Sequence, residues 1–351
     1  VKKLLGFKRM AFLIMMTLAI FAGGCSLNKI EEPNDTVDAT QNPFEKNKPQ
    51  TTVLGSIGHG FINRQLDVNG RVLPLEYNGG ELKIEYSVRA SGTAKNVGFF
   101  IFVDGKAQPY KLDESDSPYQ YMHLLELKDD DKETPFAFVF TPVTGKQGDT
   151  LQLSIASLYN PSFIPDMKTT SSYGGYQTTL EAGRPLIFKK DAESVDFAPY
   201  AQQGGLNHVQ LSTEPMTQEL LDKHSIVETV DIDKLDKNVY GGLYIDGAMR
   251  QDHFQIQKSG TLHVTFNLFG HPGMRYRNTF YINHRALAAE DGVSFETELT
   301  KGNIAVIDAD IELEKLEDFS TFYVVSVPIN ANDFPDDVVV LMKTPSLLLY
   351  R

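Results

Sequence analysis

Tryptophan is missing and cysteine occurs once in 351 residues. One cysteine excludes a disulfide framework within the chain and any cysteine-rich zinc site. Without tryptophan the strongest stacking platform for sugars is gone, and tyrosine is left to serve. Positive charge is scarce: 33 basic residues face 46 acidic ones, a net charge of −13. The first 24 residues hold four of the basic residues and no acid, so the remainder carries 29 against 46, a net −17. A body that acidic repels phosphate backbones, and nucleic acid is not an expected partner. No apolar run reaches the roughly 20 residues that a helix needs to span a bilayer. Extended helical periodicity is also missing, and there is no HExxH, P-loop, G-x-S-x-G elbow or G-x-G-x-x-G after a strand.

What is present begins with an address. Lys2, Lys3, Lys8 and Arg9 precede a 13-residue apolar run from Met10 to Ala22. That length fits the hydrophobic region of a signal peptide. Small residues follow, then the single cysteine: Ala22-Gly23-Gly24-Cys25. This resembles the lipobox of bacterial lipoproteins, although that family most often has leucine where Ala22 stands. The resemblance covers about 25 residues. It implies cleavage before Cys25 and a diacylglyceryl thioether on its sulfur. Two acyl chains would anchor the protein stably where one would not. Residues 1–24 are therefore read as a lipoprotein signal peptide. Residues 25–50, polar and carrying Pro33, Pro43 and Pro49, are read as a flexible tether.

The remainder reads as all-β. Leu82 to Arg89 alternates apolar and polar residues, the period of a strand with one wet face. Val97 to Val103 is a nearly continuous apolar run closed by the turn pair Asp104-Gly105. Further strands are expected at Tyr119–Leu127, Phe136–Thr141 and Leu151–Ala156, and later at Ile304–Leu313, Phe322–Ile329, Val338–Met342 and Leu347–Tyr350. The second half repeats the first. Leu262, Val264, Phe266 and Leu268 lie 180 residues after Leu82, Ile84, Tyr86 and Val88. At the same offset Phe280 and Ile282 match Phe100 and Phe102, and Gly260 matches Gly80. The expected architecture is two tandem β-sandwich domains related by internal duplication, at 51–190 and 191–351, the latter including the linker. One short helix is expected in the connection, at Met216–His224, with Thr213 or Thr217 as its N-cap.

Chemistry is harder to find. The eight histidines show no metal-ligand spacing, and His263 falls on the polar side of its strand. Gly58-His59-Gly60 is too short to cradle a phosphate and reads as a loop before the first core strand. No cofactor is expected. Calcium is the cation that Asp129, Asp130 and Asp131, or Asp231, Asp233 and Asp236, would take, but the second cluster lacks the glycine and terminal glutamate of an EF-hand. Acids on turns are ordinarily just solvated. The most unusual stretch is Leu158 to Gly183, which sets Tyr159, Phe163, Tyr173 and Tyr176 among small hydroxyl residues. Loops of this kind on rigid sandwiches serve binding, and they also serve to cover strand edges.

These features point to a membrane-anchored surface lipoprotein without catalysis, on the outer face of the cell membrane or of an outer membrane. Its role would be binding, adhesion or envelope assembly with an envelope protein or glycan. An anchored hydrolase of polysaccharide or peptide is the alternative, with loop carboxylates that sequence cannot single out. A ligand-capturing lipoprotein serving a transporter ranks behind it, since the usual two-lobed receptor alternates strands and helices.

Overall fold

The computed structural model describes residues 55–351 apart from 69, 71, 114–116, 164–176, 194–200, 203–204, 226–229, 231–234 and 251. Cys25 and the tether lie outside the described residues, as do Tyr173, Tyr176, Asp231 and Asp233.

The first half holds β1 (Ser56–Phe61), β2 (Leu75–Tyr77), β3 (Leu82–Ser91), β4 (Asn96–Val103), β5 (Lys106–Ala107), β6 (Lys111–Leu112), β7 (His123–Glu126), β8 (Thr134–Phe140), β9 (Thr150–Tyr159) and β10 (Thr179–Phe188). The second holds β11 (Ala201–Gln202), β12 (Leu206–Pro215), helix α1 (Gln218–Ser225), β13 (Val239–Ile245), β14 (Ala248–Met249), β15 (His253–Gln255), β16 (Thr261–Gly270), β17 (Arg275–Ile282), β18 (Arg285–Leu287), β19 (Phe295–Glu298), β20 (Asn303–Glu312), β21 (Phe319–Pro328), β22 (Met342–Lys343) and β23 (Leu347–Tyr350). Each half is a sandwich. In the first, a sheet β1-β3-β8-β6 faces a sheet β2-β10-β9-β4-β5, with β7 paired to β4. In the second, β12-β20-β16-β13-β14 faces β11-β18-β17-β21-β23-β15.

The two halves share most of their wiring, differing in the strand beside β8, which is β6, and beside β20, which is β12. β3 and β16 pair with β8 and β20, β4 and β17 with β9 and β21, and a short strand runs parallel to the last strand in each (β2 to β10, β15 to β23). The order β1-β3-β8-β6 against β4-β9-β10 is the ABED and CFG arrangement of immunoglobulin-like sandwiches. The 180-residue offset holds for β3 and β16, whose matched residues all point into their cores. In the next strand it is off by one. Phe100 and Phe102 point away from the first core, whereas Phe280 and Ile282 point into the second. The equivalent inward pair is Ile101 with Phe280, at offset 179, and the turns Asp104-Gly105 and Asn283-His284 obey the same offset. From one matched core position to the next, Val88 to Ile101 against Leu268 to Phe280, the second half is one residue shorter, and a slip of one flips every side chain in a strand.

The sandwiches are not beads on a string: residues 53–351 form one compact unit. Phe100, Phe102, Ala156 and Leu158 of the first half are buried with Tyr281, Ala286, Tyr323, Val325, Val327 and Leu341 of the second. Sheet β2-β10-β9-β4-β5 and sheet β11-β18-β17-β21-β23-β15 therefore cover each other, and both are buried on two faces. This explains the continuous apolar run of β4. Val97, Phe99, Ile101 and Val103 serve the first core while the phenylalanines between them serve the seam. The outermost sheet of the second half is covered in turn by α1, through Leu220 and Leu221 against Phe269, Ile304 and Val306. Thr217 is the cap of that helix, its Oγ1 accepting the Leu220 N–H at 3.2 Å.

Three expected elements fall differently. Gly58-His59-Gly60 is not a loop but the middle of β1. The strand in Tyr119–Leu127 shrinks to His123–Glu126. Val338–Met342 is strand only at its end, where Met342 pairs with Ser326. Val338 and Val340 are 86% and 53% exposed, and the Leu341 N–H is taken by the Glu181 carboxylate of the first sandwich instead of a neighbouring strand.

Candidate functional site

The irregular strap of residues 337–341 roofs a hollow of about 530 Å³. Its other walls come from Lys237 to Tyr240 at the entry to β13, from His271 just after β16, and from Tyr276 of β17. That volume lies within the range of small-ligand pockets. Tyr240 is held in place by stacking on Phe269, with ring centroids 5.6 Å apart, and by the Asn238 Nδ2, which donates to its hydroxyl at 3.3 Å.

The strap is tied down near both ends, at Leu341 by Glu181 and at Asp337 by His271. His271 Nε2 lies 3.1 Å from the Asp337 carboxylate, and Phe334 sets its ring edge-on to the imidazole at 4.8 Å. The histidine side chain is 5% exposed, and its Nδ1 is buried without a hydrogen-bond partner in the structure. A carboxylate on one ring nitrogen fixes the tautomer and orientation of the other. Among the described residues that line the hollow there is no serine, threonine or cysteine. Tyr276 is buried in the core of the second sandwich. Its phenol is pushed up by burial and by the nearby Glu181 carboxylate, which burial in turn pushes up. The chemistry on offer is therefore apolar contact with valines and tyrosines plus a few polar points, among them Lys237, Asn238 and His271.

The residues singled out in the sequence lie elsewhere. Tyr159 ends β9 with 4% exposure inside the first core, so it packs and presents no face to a ligand. Phe163 is half-buried in the turn that follows, its N–H donating to the Asn160 carbonyl at 2.9 Å. Asp129 and Asp130 pair with Lys132 at 2.9 Å and Lys95 at 2.7 Å, and both carboxyls are held below their usual range by these hydrogen bonds. Asp131 occupies a left-handed turn position, with φ 54°. Asp236 pairs with Lys301 at 2.6 Å. Asp129, Asp130 and Asp236 are thus engaged by lysines, and among the described residues no three of these acids gather around one point. His263 does face solvent, 55% exposed, and shares Asp310 with His208 at 3.0 and 2.9 Å.

Neither His271 nor Asp337 stood out in the sequence. They are 66 residues apart, and only the return of the strap between β21 and β23 joins them.

No family model and no curated protein matches the chain. Its similarity is to solved structures alone. The fibronectin(III)-like modules of Clostridium thermocellum CbhA align with 79% of this chain and 87% of their own at 9% identity and a TM-score of 0.18. A chaperone–tip adhesion subunit pre-assembly complex of archaic Csu pili from Acinetobacter baumannii aligns with 79% and 94% at 8% identity and a TM-score of 0.17. A chimeric titin Z1Z2 tandem aligns with 80% and 96% at 9% identity and a TM-score of 0.18. Likenesses this distant assign the chain neither activity nor ligand.

Proposed function

We propose that this chain is an exported lipoprotein, held through Cys25 to the outer face of a bacterial cell or outer membrane, whose double sandwich is a non-catalytic binding module. The address rests on the lipobox-like residues 22–25. The binding reading rests on one observation: a ligand-sized hollow walled by exposed valines and fixed tyrosines, set against a rigid seam between two sandwiches. An envelope protein or a glycan is the partner class, and adhesion or envelope assembly the role.

Both halves of this reading are testable. Labelled palmitate should enter the wild-type protein and not Cys25→Ala, and an unlabelled wild type would remove the anchor. A binding screen of the detergent-solubilised full chain against envelope proteins and glycans should yield a ligand that Val338→Asp or Tyr240→Ala weakens at least tenfold. A ligand indifferent to both substitutions does not use the hollow. The His271–Asp337 pair favours a second reading, an anchored hydrolase. Hydrolysis of a polysaccharide or peptide that disappears in His271→Ala, with the fold intact, would replace the binding reading.

A further inference from the structure

The outer face of the first sandwich carries a different kind of hollow. Along β1 the inward residues are Ile57, His59 and Phe61, and the outward ones are Ser56, Gly58 and Gly60. Neither glycine has the left-handed φ that would demand glycine for the backbone. What they supply is space. A Cβ on Gly60 would stand 2.7 Å from Arg64 Nη2, and one on Gly58 would stand 3.2 Å from Arg89 Nε. Two guanidinium groups thus border a bare stretch of strand. The hollow over it measures about 320 Å³, and the Ser87 hydroxyl and Glu133 complete its rim.

The charge here runs against the rest of the molecule. In a chain of net −13, the hollow has two arginines and one acid, and that acid already accepts the Ser87 hydroxyl at 2.6 Å. The arginine ion pairs among the described residues belong to Arg277 and Arg351, not to Arg64 or Arg89. A third cation lies close behind. Arg184, 6% exposed, donates from Nε to the Leu73 carbonyl at 2.6 Å and sets its guanidinium over Phe61, 5.7 Å from the ring centroid. Burial lowers its pKa, and the charge of Arg64 lowers it further. His59 beneath adds no charge. Its Nδ1 meets the Tyr86 hydroxyl at 2.6 Å and its Nε2 the Ser157 hydroxyl at 2.9 Å, and burial drops its pKa to about 4. Two guanidinium groups set against one acid, itself already engaged by Ser87, leave the hollow short of negative charge, and an anion between them relieves that. Guanidinium forks are also the side chains best shaped to hold planar or tetrahedral oxyanions in two-pronged fashion.

We propose that the hollow over Gly58 and Gly60 is a binding site for an oxyanion, a carboxylate, sulfate or phosphate group, gripped between Arg64 and Arg89. The group comes either as a free ion or on an acidic polysaccharide. The site is separate from the strap hollow and from the lipid on Cys25, so it stands or falls independently of the function proposed above.

The test is calorimetric titration of the detergent-solubilised full chain at low ionic strength with sodium sulfate, sodium phosphate and trigalacturonate. Saturable binding of at least one probe is expected. Arg64→Gln with Arg89→Gln should weaken it at least tenfold. Gly60→Ala keeps every charge and an ordinary backbone conformation while displacing the Arg64 guanidinium, and should weaken binding several-fold. Glu133→Gln, which removes the acid from the rim, should tighten it several-fold. Trigalacturonate binding more than tenfold tighter than either ion identifies a polysaccharide source, and comparable affinities identify the free ion. The proposal is overturned if no probe saturates, or if the double arginine variant, folded by circular dichroism, binds like the wild type.

Discussion

His59, His284 and Lys343 are bases whose burial keeps them neutral at pH values where the unfolded chain would carry their charge. His284, held between the Tyr323 hydroxyl at 3.0 Å and the Pro161 carbonyl at 2.7 Å, has its pKa drawn down to about 4 by burial, as has His59. Lys343 donates to the Thr344 carbonyl and the Ser346 hydroxyl and lies over the Tyr323 ring, and burial brings it to about 7. In each case the unfolded chain binds a proton that the folded one refuses. Stability therefore rises with pH across the window between the two values. For the histidines that window is about pH 4 to 6.5, and for Lys343 it runs from about 7 upward, with a slope of at most about 1.4 kcal/mol per pH unit for each group. Glu181, raised by burial, works in the opposite sense above the ordinary carboxylate range. The buried tyrosines Tyr86 and Tyr110, raised likewise, do so above pH 10. Denaturant titrations of single variants separate these contributions. Lys343→Met should be more stable than the wild type at pH 7 and should lose the rise between pH 7 and 9.5. His284→Gln should flatten the acid limb by one proton. A Lys343→Met curve parallel to that of the wild type would show that the lysine is charged in the folded protein.

At the scale of elements, two hairpins show what a sequence discloses and what it conceals. Asp104-Gly105 and Asn283-His284 close equivalent turns with φ of 50° and 69° and of 47° and 64°. Asp-Gly is a strong turn signal, and it was legible; Asn-His adopts the same left-handed pair without glycine and was not. Gly105 also needs its bareness, because a Cβ there would meet Arg277 Cβ at 2.8 Å and Ile329 Cγ2 at 3.1 Å. Gly105→Ala should accordingly cost about 1–3 kcal/mol in chemical denaturation. Thr217→Ala, which removes the cap from α1, should cost about 1 kcal/mol. The alternation in β3 and in the opening residues of β16 could be read because there the outer face of each sheet is wet, and the run in β4 because both faces of its sheet are covered. The contacts that define sites and seam were beyond reach. Arg277 grips Asp104 across 173 residues, and His271 meets Asp337 across 66. The arginines of the oxyanion hollow likewise lie on separate elements, and only pairing β1 to β3 brings Gly58 opposite Arg89. Sequence periodicity reports which face of a strand is buried, not what that face is buried against.

For the whole molecule, the seam decides whether two sandwiches behave as two domains or one. Ten apolar side chains are buried there, with Phe100 on Tyr281 at 5.3 Å and Tyr281 stacked on Tyr323 at 5.2 Å and an interplanar angle of 8°. Polar ties flank them. Arg277 of the second sandwich donates to the backbone and carboxylate of Asp104 in the first, and Glu181 of the first takes the Leu341 N–H of the second. An aromatic truncation in a packed core costs about 3–5 kcal/mol, so the seam holds enough free energy to couple halves whose own stabilities are of similar size. Residues 53–351 should then unfold in a single transition with calorimetric and van't Hoff enthalpies equal. Phe100→Ala combined with Tyr281→Ala removes the central contact while leaving both inner cores untouched. That variant should unfold in two transitions, one for each sandwich. Two transitions in the wild type would show that the seam is contact without coupling, and a single transition in the double variant would place the coupling in the polar ties, to be tested next with Arg277→Leu.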